Sequence, residues 1–104
     1  MRLVIDNIVR DKLDEFYRVA CLLHETLDER EAMAKKNRLL TSLKTLEYCQ
    51  GFRKARLKRE WIALGCHEFV SDGFIFAYQV NKDIETGEVF VWVFDVVYGS
   101  IYKS

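Results

Sequence analysis

The feature that most constrains this chain is the pair of aromatic and β-branched runs in its last third. Gly73-Phe74-Ile75-Phe76-Ala77-Tyr78-Gln79-Val80 is followed by Asn81-Lys82-Asp83-Ile84-Glu85-Thr86-Gly87, and then by Glu88-Val89-Phe90-Val91-Trp92-Val93-Phe94-Asp95-Val96-Val97-Tyr98. Residues of this kind suit a pleated, packed surface, and the Asn, Asp and Gly between them favour a turn, so the segment predicts a β-hairpin. Side chains alternate across a strand. Strict alternation puts Val89, Val91, Val93, Asp95 and Val97 on one face of the second run. It puts Phe90, Trp92, Phe94, Val96 and Tyr98 on the other. A strand apolar on both faces is covered on both or presents one to a partner. In a small domain the second face points to a partner, and the pattern leaves open which face that is.

The chain has 104 residues, enough for one domain (1–104) with a single core. With 16 basic and 16 acidic residues the formal net charge is zero, so the chain as a whole does not advertise nucleic acid or an anionic membrane. Its three cysteines, Cys21, Cys49 and Cys66, are odd in number and far apart, with no Cys-x-x-Cys spacing. They are expected to be free thiols of a cytoplasmic protein rather than a disulfide framework or a zinc site. Met1-Arg2-Leu3-Val4-Ile5-Asp6 holds too short an apolar run for a signal peptide, and no segment has the length of a membrane span.

Leu3-Val4-Ile5 reads as a first strand, with Asp6 or Asn7 capping a helix over about Asp11–Leu27. Leu13, Phe16, Ala20, Leu23 and Leu27 form its apolar stripe, widened by Tyr17. Asp28 with Glu31 resembles a capping box and starts a second helix, Glu31–Tyr48, whose face carries Leu39, Leu43 and Leu46, flanked by Leu40. Gly51 is the expected stop. A short connection makes the two helices an antiparallel hairpin. Trp61, Ile62 and Leu64 read as a strand, Gly65 interrupts it, and His67 to Ser71 alternate up to Asp72-Gly73, a hairpin turn signal. The expected fold class is α+β: an N-terminal strand and a helix pair packed on a mainly antiparallel sheet.

Residues capable of chemistry are sparse. His24, near a helix end, has a structural reading there. His67 follows Cys66, but neighbours on a strand point to opposite faces, which argues against a nucleophile pair. The chain has no phosphate loop, paired-His metal motif or nucleophile elbow, so no metal and no cofactor are expected. Asp95 interrupts a long apolar strand, so it is expected either to meet a basic partner or to lie at a sheet edge. The basic run Arg53, Lys54, Arg56, Lys58 and Arg59 has a bland reading as a solvated connection. Its functional reading is a surface for phosphates or an acidic partner segment, with Tyr78, Tyr98 and Tyr102 able to stack on bases if they lie nearby.

Taken together, the order of elements and the strand Gly73-Phe74-Ile75-Phe76-Ala77-Tyr78-Gln79-Val80 resemble the RelE/ParE superfamily of toxin–antitoxin toxins, whose strand reads Gly-Tyr-Arg-hydrophobic-x-Tyr. The tail Tyr98-Gly99-Ser100-Ile101-Tyr102 and the basic segment Arg56–Arg59 resemble further parts of that pattern. The family's arginine is Ile75 here, and Tyr98 and Gly99 stand where cations are expected. The resemblance implies a cytoplasmic plasmid-stabilisation toxin that binds a cellular target and is neutralised by a cognate antitoxin. RelE-like members imply a ribosome-dependent mRNA endoribonuclease, for which Lys58, Arg59 and Tyr102 are the catalytic candidates. ParE-like members imply binding to DNA gyrase. On either reading Arg53, Lys54, Arg56, Lys58, Arg59, Trp92 and Tyr98 are the candidate partner-binding residues. A third possibility is a non-toxic interaction domain that forms a homodimer through its aromatic sheet face.

Overall fold

The hairpin predicted from the aromatic runs forms the centre of the molecule. In a computed structural model of the chain, which describes residues 2–23, 28–47 and 58–98, β3 (Phe74–Lys82) and β4 (Val89–Tyr98) pair antiparallel. β2 (His67–Ser71) joins β3 through Asp72-Gly73. Both turn residues have positive φ, 50° and 84°, the primed geometry whose twist matches the flanking strands. β1 (Arg2–Ile5) lies parallel to β4 on its other side, completing a four-stranded sheet of order β1-β4-β3-β2. The fold is α+β, as expected.

Two helices form a layer on one face. α1 (Asn7–Leu23) begins where the Asp6 carboxylate accepts a bond from the Ile8 amide at 3.0 Å. α2 (Glu29–Leu43) begins where the Asp28 carboxylate accepts from the Glu31 amide at 2.8 Å, and it continues into a 3₁₀ turn at Lys44–Glu47. Val9, Leu13 and Tyr17, spaced by four, are the fully buried face of α1. They meet Leu39, Leu43 and Leu46, and all pack on Phe74, Phe76, Tyr78, Val91, Val93 and Val96 of the sheet. Phe16 and Ala20 of the expected stripe are half-buried, and Leu23 is 73% exposed because it has rotated off the four-residue row. His24, Leu27, Tyr48, Cys49 and Gly51 lie outside the described residues.

The segment read as a strand at Trp61-Ile62-Leu64 is instead a short helix, α3 (Arg59–Ala63). Its side chains do not alternate between two faces: Trp61 is buried while Ile62, Ala63 and Leu64 are all exposed. The helix ends on Gly65 at φ 65°. There the Gly65 amide donates to the Ile62 carbonyl at 3.0 Å and the Cys66 amide to the Trp61 carbonyl at 3.2 Å, a Schellman stop. α3 lies across the sheet face away from α1 and α2. Trp61, Cys66 and Ala77 form a second small core there, with Ile75, Phe94 and Val97 against it.

Strict alternation along β4 also fails. Ala77 pairs with Asp95 but Tyr78 pairs with Val93, so Phe94 is an extra residue in a β-bulge. Past the bulge the sides exchange: Val96 and Tyr98 join the helix-side core, and Val97 turns to the α3 side. Both faces of the sheet are therefore occupied, the second only in part among the described residues. Among the described residues no helix is long and apolar enough to cross a membrane.

Candidate interaction surface

The bulge sets Asp95 beyond the end of β1, which pairs only with Phe90 to Val93. Its carboxylate is the meeting point of three elements. Lys12 of α1 forms an ion pair with Oδ1. The indole N–H of Trp61 in α3 donates to Oδ2 at 3.1 Å, and the Lys58 ammonium lies 3.7 Å from the same oxygen. The Val96 amide donates to Oδ1 at 2.8 Å. Burial alone would raise this carboxyl, but the bonds from Lys12, Val96 and Trp61 outweigh it and hold Asp95 below the ordinary carboxylate range. The first alternative expected for this residue holds: it has basic partners, on an interior strand just past the residues that β1 covers.

Lys58 is thus part of a structural junction, and its ammonium also stands 5.5 Å from the Trp61 ring. Arg59 follows as an exposed first residue of α3. The other basic residues of the expected surface, Arg53, Lys54 and Arg56, lie outside the described residues, as does Tyr102. Tyr78 is 2% exposed in the helix-side core and cannot stack on a base. Tyr98 lies half-buried on that same side, its ring 4.8 Å from Phe16 and 5.1 Å from Phe74. Tyr98 and Trp92 are accordingly on opposite faces and cannot belong to one flat surface.

The aromatic residues that do line the outer face are Phe90, Trp92 and Phe94, all half-buried. Trp92 and Phe94 rings lie 5.0 Å apart, the Trp92 indole donates to Asp6 at 3.3 Å, and the Arg2 guanidinium sits 5.5 Å over Phe90. Arg2 and Val4 of β1 pair with Phe90 and Trp92, extending this face. Phe94 touches the α3 core, whereas Phe90 and Trp92 lie outside that core. The arrangement offers an aromatic area with Arg2 over Phe90 at one end and the Lys58–Trp61–Asp95 junction beyond Phe94 at the other, a combination suited to partner binding.

The Cys66 thiol and the His67 imidazole face opposite sides of the sheet. Cys66 is buried and its thiol donates to the Trp61 carbonyl at 3.0 Å, and burial pushes its pKa up. The His67 ring faces Tyr78, 5.5 Å away. Cys21 and Cys66 are free thiols, while Cys49 lies outside the described residues. Among the described residues no cluster of His, Cys, Asp or Glu could hold a metal ion.

Neither a protein-family model, nor a curated protein, nor a solved structure matches this chain.

Proposed function

We propose that this chain is the toxin of a toxin–antitoxin pair, inhibiting growth by binding a cellular target and neutralised by a cognate antitoxin. The observation that carries the reading is the outer sheet face, where half-exposed Phe90 and Trp92 extend past α3. An N-terminal strand and a helix pair on a mainly antiparallel sheet is also the architecture that the RelE/ParE resemblance implies. Fold by itself carries little about function, so the weight rests on that face.

Binding is favoured over RNA cleavage. Phosphodiester cleavage needs several groups that shuttle protons and stabilise charge together. Of the candidates, Lys58 is committed to Asp95 and Trp61. Arg59 remains as an exposed cation that can meet an acidic antitoxin segment or a target such as gyrase or the ribosome.

Inducible expression tests this directly. Growth arrest, relieved by co-expressing the neighbouring reading frame, is the expected result. Arg59→Glu with Trp92→Ala should abolish arrest while the folded protein still accumulates. Growth unaffected by the wild-type chain overturns the proposal. Site-specific mRNA cleavage in arrested cells would replace binding with the nuclease reading.

A further inference from the structure

The acidic and basic residues of this chain cancel in number, but they are not evenly placed. From Ala32 to Leu46 the chain carries Lys35, Lys36, Arg38 and Lys44 and no acid at all. That stretch is most of α2 and the turn that continues it. Ala32, Leu39 and Leu43 are buried on the core, so the opposite side of the helix faces solvent. At about 100° per residue, Arg30, Ala34, Asn37, Thr41 and Lys44 fall in one row along that side. Lys35 and Arg38 flank the row, and each of these side chains is exposed. Lys36 is paired with Asp14, whereas Arg30, Lys35, Arg38 and Lys44 form no ion pair among the described residues. Glu31, in the first turn, is the acid that shares this side of α2 and offsets one of the charges.

The middle of the row, Ala34, Asn37 and Thr41, is small and polar rather than large and apolar. It lacks the aromatic anchors by which a protein partner is held. A bilayer surface takes a helix by its apolar face, and that face of α2 is packed on the core. Cations interleaved with Asn and Thr are instead the side chains that bond phosphate oxygens. The dimensions fit a duplex as well. The row rises about 21 Å from Arg30 to Lys44, and the major groove of B-form DNA is about 12 Å wide and admits a helix. Laid across that groove, the end cations reach its two phosphate walls while the middle of the row meets base edges. There Asn37 can bond adenine, and Ala34 and the Thr41 methyl can pack on thymine methyls. The deep, narrow major groove of A-form RNA does not admit the row.

We infer that α2 is a DNA-binding helix, its Arg30–Lys44 row seated in the major groove of a B-form duplex with Lys35 and Arg38 on the adjoining phosphates. The inference goes beyond the toxin reading and is independent of it, since it uses neither Trp92 nor Arg59.

Fluorescence anisotropy of a labelled DNA duplex titrated with the full chain reads the binding at several salt concentrations. Contacts from these four cations predict a slope of log affinity against log salt of about −3 to −4. Arg38→Ala and Lys44→Ala should each weaken binding to every sequence alike and reduce that slope by about 1. Asn37→Ala should leave the slope unchanged and lose a preference of about tenfold for A·T-containing over G·C-only duplexes. Melting temperatures should not change, because these side chains are exposed. A duplex that stays unbound at low salt with ~100 μM protein overturns the inference. So does an unchanged slope in Arg30→Ala with Arg38→Ala and Lys44→Ala. An RNA duplex of the same sequence bound as tightly as the DNA overturns the groove assignment. Equal affinity for phosphatidylserine vesicles reassigns the row to a membrane surface and overturns it too.

Discussion

Asp95 does at the scale of one side chain what no single element could do. It gathers Lys12 from α1, Trp61 and Lys58 from α3, and its own strand into one junction. Its carboxyl is held below the ordinary range, so the folded state binds a proton less readily than the unfolded chain. The stability it contributes is therefore fully present above the ordinary carboxylate pKa and is lost as pH falls through and below it. Thermal denaturation between about pH 5 and pH 3 should show this loss, and Asp95→Asn should lower the melting temperature at neutral pH and flatten that part of the profile. An unchanged acid profile in the variant would remove Asp95 from the junction. The peculiarity of a carboxylate in an apolar strand was legible in sequence. Its main partner was not, because Lys12 lies 83 residues away. Cys66 makes the complementary case: burial keeps its thiol protonated, so alkylation of the native protein at neutral pH should leave it unmodified until the chain unfolds. Rapid native labelling of Cys66 would contradict the second core.

At the scale of elements, packing and caps decide between sequences that propensity leaves ambiguous. α3 is too short to hold as an isolated helix, so it depends on Trp61 and on its stop at Gly65. No atom lies within 4 Å of a β-carbon built on Gly65, so Gly65→Ala tests the backbone alone. It should destabilise by about 1 kcal/mol, and Gly65→Asn by less, because Asn tolerates positive φ better. Equal losses in urea denaturation would mean that the positive φ is not what ends α3. In α1, Leu13 is fully buried, and Leu13→Ala should cost about 3 kcal/mol. Phe16 is only half-buried, but its ring stands edge-on to Phe74 at 4.9 Å, so Phe16→Ala should cost about 2 kcal/mol or more. A loss below about 0.5 kcal/mol at Leu13 would place that stripe on the surface. The alternating three- and four-residue gaps between apolar side chains made the helices readable. The strand reading of Trp61-Ile62-Leu64 failed because three apolar residues in four fit either period.

The whole molecule is asymmetric about its sheet. Among the described residues, one face carries a continuous core from both long helices, and the other carries the small core under α3. Local opening should follow that division. Amides of β3 and β4, the two interior strands, should exchange with solvent only on global unfolding. Those of α3 should exchange sooner, by sub-global opening. Native-state hydrogen exchange measures both, and α3 amides as slow as those of β3 would merge the two cores into one cooperative unit.

What the sequence determined by itself are features that depend on near neighbours along the chain. The Asp72-Gly73 turn, the two β-runs, the Asp28 cap and the apolar row of α2 all arise within a few residues and formed where expected, whereas the buried row of α1 is Val9, Leu13 and Tyr17, sharing with the expected stripe only Leu13 and its flanking Tyr17. The α+β class follows from their order. Which side each residue of β4 faces was decided only in three dimensions. One extra residue at Phe94 lets the strand satisfy two cores at once, moving Val96 and Tyr98 to the helix side and Val97 to the other. Period-two reasoning cannot detect such an insertion, because both registers are apolar throughout and the choice between them is made by Tyr78, Trp61 and the helices packed above and below.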